Sequence, residues 1–280
     1  MRGIGRLAKT WAYISFFMTV GIILFLFGYV FYRGAGTISI EFLTQSPKGL
    51  ILGEEGGIFP AIVGSFLFTA TAIILGGIPA AATALYLVFF CKNPKMEKIL
   101  HGVIQSISGV PSIVLGLFSY TFLVRDLNFG RCIFSASVAL AVMILPFIEV
   151  RAEKAFREVP VSMVQSSYAL GCSRFYTIWH IILPMCRGEL ISGIILGGCY
   201  AMGATAPMIF TGAVAYAAVP DSIFSPAMAL PLHLYLLVAQ GATSIDMAYG
   251  TAFVMMAIIL ISNAAATIYA RRSQKRWKNS

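Results

Sequence analysis

The apolar residues of this 280-residue chain fall into long runs that short polar segments separate. About 20 apolar residues in a helix cross the hydrocarbon layer of a bilayer, so the runs predict membrane spans. The spans are predicted at residues 11–32, 58–90, 99–124, 132–148, 190–219 and 247–270. This pattern predicts an all-α polytopic membrane protein with six transmembrane helices, in which residues 1–280 form a single transmembrane domain.

Two of these runs are long for one straight crossing. Residues 58–90 would extend about 50 Å as a helix, against a hydrocarbon layer of about 30 Å. We therefore expect a break at Gly76–Pro79 in this run. Residues 190–219 are about as long, and we expect them to be interrupted at Gly203 and Pro207.

Hydroxyl-bearing residues stand beside predicted helix breaks in two spans. Gly109, Pro111 and Ser112 lie near the middle of the third run, and Thr205 precedes Pro207 in the fifth. A break at such a depth frees backbone groups and a hydroxyl to face a translocation pathway. Close helix packing around a proline kink would explain the same residues, and both interpretations stay open.

The composition supports a membrane location, and the basic residues predict an orientation. Hydrophobic residues make up 59% of the chain and charged residues 11%, with a mean hydropathy of +0.85, which excludes an ordinary soluble protein. With six spans and both termini in the cytoplasm, 16 of the 20 Lys and Arg residues lie inside, as multi-pass proteins of the cytoplasmic membrane require. Anchoring at the lipid surface thus accounts for the net charge of +9 without a nucleic-acid partner.

Charged residues are absent from the middle of every predicted span. Secondary transporters commonly use an intramembrane ionisable residue to couple ion movement, so this absence argues against that class. The five cysteines form no Cys-x-x-Cys pair, and the three histidines are isolated. We therefore expect no enzyme active site, no bound metal and no cofactor.

The charged segment at residues 149–187 is predicted to be a cytoplasmic loop. Val164, Ser167 and Tyr168 suit one face of a short helix, and Gly171 suits the turn that ends it. A second helix is expected beyond the turn, and Pro184 suits the first turn of the next span.

This loop resembles the cytoplasmic signature of ABC importer permeases. Gly171, Ile181, Leu183 and Pro184 match its spacing, and Gln165, Ser166 and Ser167 occupy its Glu-Ala-Ala positions. The resemblance implies a bundle like that of type I ABC importers, in which the short helix docks into a cleft on an ATP-hydrolysing subunit. Gln165 carries no charge and therefore offers no ion pair at the family's glutamate position, although it can still form hydrogen bonds.

Three further motifs resemble phosphate-type ABC permeases, the A-type membrane subunits of phosphate uptake systems. They are Gly57-Ile-Phe-Pro-Ala-Ile-Val-Gly64, Gly109-Val-Pro-Ser-Ile-Val-x-Gly-Leu-Phe118 and Thr205-Ala-Pro-x-x-Phe-Thr-Gly212. That family typically reads Arg-x-x-Gly-Glu-Thr-Ala-Pro, and here Tyr200 and Ala204 occupy the Arg and Glu positions. Because uncharged residues replace both the Arg and the Glu, no buried charge is left without its partner.

The resemblance implies one membrane subunit of an ATP-driven importer, with phosphate as the expected substrate. Its expected partners are a second permease subunit, two ATP-binding subunits and an extracytoplasmic phosphate-binding protein. Another oxyanion or small solute is the alternative within this class, and a secondary transporter or channel is the alternative outside it. The expected pathway residues are Gly109, Pro111, Ser112, Tyr200, Gly203, Ala204, Thr205 and Pro207.

Overall fold

The structure is a computed structural model that describes residues 2–49, 52–241 and 244–278. The single domain expected over 1–280 therefore includes residues 1, 50–51, 242–243 and 279–280, which lie outside the described residues. The first helices are α1 (Arg2–Ala35), α2 (Ile40–Thr44), α3 (Phe59–Ala72), α4 (Ile78–Phe89), α5 (Pro94–Ser108) and α6 (Ser112–Ser119). They are followed by α7 (Ile133–Arg157), α8 (Val161–Ala169), α9 (Arg174–Thr177), α10 (Leu183–Met202), α11 (Leu230–Gln240) and α12 (Ile245–Lys278). Two-residue strands β1 (Pro47–Lys48) and β2 (Glu55–Gly56) pair antiparallel.

Five helical segments of the described chain are long and apolar enough to cross a membrane. They are Lys9–Ala35, Phe59–Phe89, Ile133–Arg157, Arg174–Met202 and Ile245–Ser273. A sixth crossing results if Pro94–Ser108 and Ser112–Asp126, which are bent by 94° at their junction, form one span. The all-α polytopic fold class is thus confirmed.

Helix α7 occupies the centre of the bundle, with α3, α4, α5, α6 and α10 packed around it. The core cluster around α7 includes Phe68, Leu140, Ile144 and Ile148, each at most 2% exposed. Small residues bring the helices close, since a side chain at Gly76 would meet the backbone of Ala141. Close packing of this kind drives helix association in a membrane. Lipid tails are themselves apolar, so moving apolar side chains from lipid into a helix contact provides no hydrophobic free energy.

The predicted break at Gly76–Pro79 is wrong. The helix continues from α3 to α4 through a π-helical segment, Ile73–Gly77, and a second such segment, Ile178–Ile182, joins α9 to α10. Each precedes a proline, Pro79 or Pro184, by one intervening residue. Proline lacks an N–H and clashes with the carbonyl four residues earlier, and the wider π turn accommodates both defects without ending the helix. Pro184 does lie in the first turn of α10, but as part of a continuous rod.

The span predicted at residues 190–219 differs from the structure at both ends. The helix covers Arg174–Met202 and ends at Gly203, and no helix follows within the described chain until Leu230. The intervening irregular segment is bound to the bundle: the Cys132 and Ile133 amides donate to the carbonyls of Thr211 and Ser225, at 3.1 and 3.0 Å. Irregular backbone is tolerated at membrane depth where protein groups satisfy it in this way.

The predicted boundary between the span at 132–148 and the loop at 149–187 also differs from the structure. Helix α7 continues to Arg157, and the long helix toward α10 already begins at Arg174. Only residues 158–173, which contain α8, connect the two helices. Glu149 and Arg151, which the sequence places in the loop, therefore belong to the bundle.

Helix α1 packs along α12 and leaves most of its surface exposed. The Arg33 guanidinium lies 3.4 Å from the Asp246 carboxylate and 5.2 Å from the centre of the Tyr249 ring, and these contacts attach the end of α1 to the start of α12. Apolar side chains such as Trp11, 72% exposed, cover the rest of the helix.

Candidate translocation cavity and coupling segment

A cavity of about 910 Å³ lies between α5, α6, α7 and α10. Four of the predicted pathway residues, Gly109, Pro111, Ser112 and Tyr200, line it. The first three form the junction between α5 and α6, and Tyr200 is near the end of α10. Tertiary folding therefore brings together two motifs that are about 90 residues apart in the sequence.

The other four predicted pathway residues do not line this cavity. Gly203 caps the end of α10, and Ala204 packs against the main core cluster. Pro207 is buried against α6, since a side chain at Gly116 would lie 2.8 Å from the Pro207 Cα. For Ala204 and Pro207, the placement favours the close-packing interpretation.

The 94° bend points the start of α6 into the cavity. Helix α5 ends at Ser108, Pro111 is extended with φ −57° and ψ 135°, and α6 begins at Ser112. The first backbone N–H groups of a helix have no intrahelical acceptor and carry a partial positive charge. With Pro111, Ser112 and Leu115 in the cavity wall, this helix start can offer hydrogen-bond donors to an anion.

Three charged residues that are not among the predicted pathway residues also line the cavity, namely Glu149, Arg151 and Glu153. Glu149 is fully buried, and neither carboxylate oxygen has a hydrogen-bond partner among the described residues. The Arg151 guanidinium lies 4.9 Å from the centre of the Phe147 ring, which in turn stacks on Tyr200 with 6.2 Å between ring centres. The cavity therefore contains a cation, although no charged residue lies in the middle of any predicted span.

A signal for the placement of Phe147 and Arg151 was present in the sequence. The span predicted at residues 132–148 has 17 residues, fewer than the roughly 20 that a crossing needs, so about one more helical turn is expected. On that longer helix Phe147 and Arg151 are four residues apart and share a face. The burial of Glu149 could not be foreseen, because it depends on α5 and α6.

An ion-pair network joins α5 to α7, and two of its members, His101 and Glu153, line the cavity. His101 Nε2 lies 3.0 Å from Glu153, and the Arg157 guanidinium contacts Glu153 at 2.6 Å and Glu97 at 2.9 Å. The ligand atoms of Glu97, His101 and Glu153 lie within 4.8 Å of one another, a spacing that could suit a metal ion. Arg157 already pairs with both carboxylates, so the arrangement fits a clamp between two helices better.

The candidate coupling segment, residues 158–184, has the predicted helix, turn and second helix. Helix α8 ends at Ala169, and Gly171 adopts a φ of +79°, which glycine reaches without strain. The Gly171 amide donates to the carbonyl of Tyr168 at 3.0 Å, and the Cys172 amide donates to that of Ser167 at 3.1 Å. These bonds are the Schellman arrangement, which satisfies the last carbonyls of a helix.

The predicted coupling residues divide into an exposed group and a packed group. Gln165 and Ser166 are exposed, whereas Ser167 is buried and its hydroxyl lies 2.8 Å from that of Thr177. Ile181, Leu183 and Pro184 are half-buried in the helix that follows the turn. Ser167 therefore holds the two helices together.

The outer surface of the coupling segment is apolar. Leu170 is 84% exposed, Phe175 71% and Val161 68%. Ser166 and Ile181 line a shallow groove of about 520 Å³ beside Leu170. Helix α8 itself contains no charged residue. An apolar surface of this kind marks a site for contact with another protein.

Comparison with known proteins places this geometry in a family context. Residues 74–279 match the family described as binding-protein-dependent transport system inner membrane component. The chain is 33% identical over 208 residues to a probable phosphate transport system permease protein PstA from Methanocaldococcus jannaschii, covering 74% of this chain and 73% of that one. It is 30% identical over 234 residues to the phosphate transport system permease protein PstA of Mycobacterium leprae, covering 82% and 76%.

Solved structures share the fold at low sequence identity. A chain of the MetNI methionine ABC transporter in an inward-facing conformation aligns with a TM-score of 0.61 at 16% identity, covering 77% of this chain and 97% of that one. An amino acid ABC transporter aligns with a TM-score of 0.52 at 13% identity, covering 78% and 92%. These likenesses establish the fold and leave the substrate open.

Proposed function

We propose a phosphate-transport function for this chain, which belongs to the family of binding-protein-dependent transport system inner membrane components. The chain is the non-catalytic membrane subunit of an ABC importer, and separate subunits hydrolyse ATP. Its substrate is inorganic phosphate, which enters from an extracytoplasmic phosphate-binding protein and passes through the cavity between α5, α6, α7 and α10.

The cavity is the observation that carries the substrate assignment. The start of α6, the Ser112 hydroxyl and the Arg151 guanidinium are all donors suited to an oxyanion. The relatives named as phosphate permeases support the same class of substrate. Gly109 and Pro111 hold the bend that points these donors inward, and Tyr200 closes the wall beside Arg151. Gly203 ends α10 next to this wall and Pro207 packs on α6 behind it, with Ala204 and Thr205 between them in the chain.

The coupling segment transmits the movement of the ATP-binding subunits. Gln165 and Ser166 contact the ATPase from the exposed side of α8, and Leu170 adds apolar area. Ser167, Gly171, Ile181, Leu183 and Pro184 fix the angle of this helix to the rod that leads through α10 to Tyr200. Movement at α8 is thus passed to the cavity wall.

A second, different permease subunit completes the pathway in this proposal. Within the described chain, α12 is the one helix that makes extensive contacts with α1, so most of the apolar surface of α1 is exposed. The apolar side chains of Ile113, Leu117 and Phe118 on α6 are also exposed. Both surfaces suit helix contacts within a membrane. The distribution of basic residues supports termini on the cytoplasmic side, which places the coupling segment and Arg157 inside the cell.

Uptake by the assembled transporter tests the proposal. Liposomes that contain the chain with its partner permease and ATP-binding subunits, loaded with ATP, should accumulate radiolabelled phosphate when a phosphate-binding protein is added outside. Accumulation should stop when ATP is replaced by a nonhydrolysable analogue. Uptake of another solute only, such as molybdate, would favour the alternative within the family.

Glu149 gives a specific reason to test a secondary-transport mechanism as well. A buried carboxylate in a membrane helix is a common element of ion-coupled carriers, and Glu149 is such a residue although the sequence predicts none within a span. In that case a gradient of protons or sodium ions would drive phosphate transport by the chain, without ATP or partner subunits. Liposomes that contain the chain alone, under an imposed proton or sodium gradient, distinguish the two mechanisms.

A further inference from the structure

Glu149 and Arg151 stand on opposite flanks of the cavity-lining face of α7. Val150 lies between them in the same wall. Glu149 is on the side of α5, one turn from Glu153, whose partners are His101 and Arg157. Arg151 is on the side of α10, where its stem passes Gly193 and its guanidinium lies over Phe147. An acceptor and a cation thus frame one cavity.

We propose that Glu149 and Arg151 select an oxyanion that carries a proton, with Arg151 binding its unprotonated oxygens and Glu149 accepting a hydrogen bond from its hydroxyl. This inference rests on the proposed function and adds how the cavity would distinguish phosphate from other oxyanions. Phosphate and arsenate carry at least one hydroxyl near neutral pH, whereas sulfate and molybdate carry none. The pair therefore admits the first two and rejects the others.

The burial of Glu149 is the reason for assigning it to a ligand. An ionised carboxylate away from water is costly unless it is paired or hydrogen-bonded, and both of its oxygens lack a partner within the described structure. A donor that arrives with the substrate would satisfy it. Sulfate would place a negatively charged oxygen against the Glu149 carboxylate without a proton between them. The resulting repulsion discriminates against sulfate more strongly than any loss of fit.

Arg151 has the geometry of a substrate ligand. Its described contact is with the Phe147 ring, and none of the ion pairs formed by the described residues includes it. Its fork of donors is therefore available for two oxygens of a tetrahedral anion. Tyr200, which occupies the family's Arg position, stacks on Phe147, and the Arg151 guanidinium lies over the same ring. Arg151 therefore supplies a cation to the cavity although residue 200 is uncharged.

The experiment uses the assembled transporter and four single variants. Glu149→Gln and Arg151→Gln remove the proposed ligands. Glu158→Gln and Lys154→Gln are matched controls on the same helix, because their side chains are 59% and 78% exposed and form only a 4.0 Å pair with each other. Uptake of phosphate is measured in ATP-loaded liposomes. Thermal stabilisation of the detergent-solubilised complex by phosphate, arsenate or sulfate, without the binding protein, reports recognition by the membrane subunits themselves.

Phosphate and arsenate, but not sulfate, should stabilise the wild-type complex. Arg151→Gln should lower phosphate uptake about tenfold or more and abolish the stabilisation, while Arg151→Lys recovers part of it. Glu149→Gln should lower the preference for phosphate over sulfate by about tenfold or more, because an amide also offers a donor to sulfate. Both control variants should behave as the wild type does.

Two results would overturn the inference while leaving the proposed function intact. One is wild-type phosphate uptake that persists unchanged in both Glu149→Gln and Arg151→Gln. The other is equal stabilisation of the wild-type complex by sulfate and phosphate. A wild-type complex that takes up no phosphate at all would instead reject the proposed function. ATPase activity of each assembled variant shows that it is folded.

Discussion

The hydroxyl groups of Ser167 and Thr177 lie 2.8 Å apart and join the two helices on either side of the Gly171 turn. Thr177 is fully buried and also donates to the carbonyl of Ser173 at 3.1 Å. Thr177→Val keeps the shape but leaves the buried Ser167 hydroxyl without this partner. We expect a loss of about 1–3 kcal/mol in the free energy of unfolding, measured by thermal or denaturant unfolding of the purified chain.

The double variant Ser167→Ala, Thr177→Val should lose less than the sum of the single losses, because both partners disappear together. Thr267→Val is the control, since the exposed Thr267 hydroxyl makes a similar bond four residues back along its helix. Equal losses for Thr177→Val and Thr267→Val would show that the bond does not hold the coupling segment.

Substitutions of Gly171 should reduce transport in an order set by its φ of +79°. Asparagine tolerates this conformation, alanine costs about 1–2 kcal/mol, and proline cannot adopt it because its ring fixes φ near −65°. ATP-driven uptake should therefore fall from glycine through asparagine and alanine to proline. Gly102→Ala in α5 should leave uptake unchanged, because a side chain there meets nothing within 4 Å. Wild-type uptake by Gly171→Pro would contradict the coupling role.

Leu170 should contribute to ATPase binding without contributing to folding. Its side chain is 84% exposed at the end of α8, so Leu170→Asp removes apolar area from the outer surface only. Co-purification with the ATP-binding subunits should fall about tenfold if the residue lies centrally in the interface, while the unfolding temperature of the isolated chain stays the same. Leu127→Asp, at a half-exposed leucine beyond the Tyr120–Asp126 segment, is the control. Undiminished binding would exclude Leu170 from the contact.

Arg157 should stabilise the packing of α5 on α7. Arg157→Met leaves Glu97 and Glu153 facing each other without their shared cation, at side-chain exposures of 37% and 13%. Because Glu97 is partly screened by solvent, we expect a loss of about 1–2 kcal/mol in the free energy of unfolding. Lys154→Met removes a charge from the exposed side of α7 and should change stability by less than about 0.5 kcal/mol. Similar losses in both variants would mean that the network is not a clamp.

The local features of this chain followed from its sequence. Apolar runs of sufficient length predicted the membrane helices, because helix length in a bilayer is set by the thickness of the hydrocarbon layer. The turn at Gly171 and the bend at Gly109–Pro111 were found as well, since glycine and proline act through their own backbone geometry. Such features depend on residues a few positions apart.

The tertiary structure decided which prolines interrupt a helix and which charges face the cavity. Pro79 and Pro184 lie within continuous helices because a π-helical turn accommodates the missing N–H and the steric clash of each proline. The helices packed alongside stabilise this conformation. The sequence predicts Glu149 as the first residue of a cytoplasmic loop, whereas in the structure α5 and α6 pack against α7 and Glu149 is buried. The environment of a side chain is set by segments distant in sequence, so periodicity along one helix cannot reveal it.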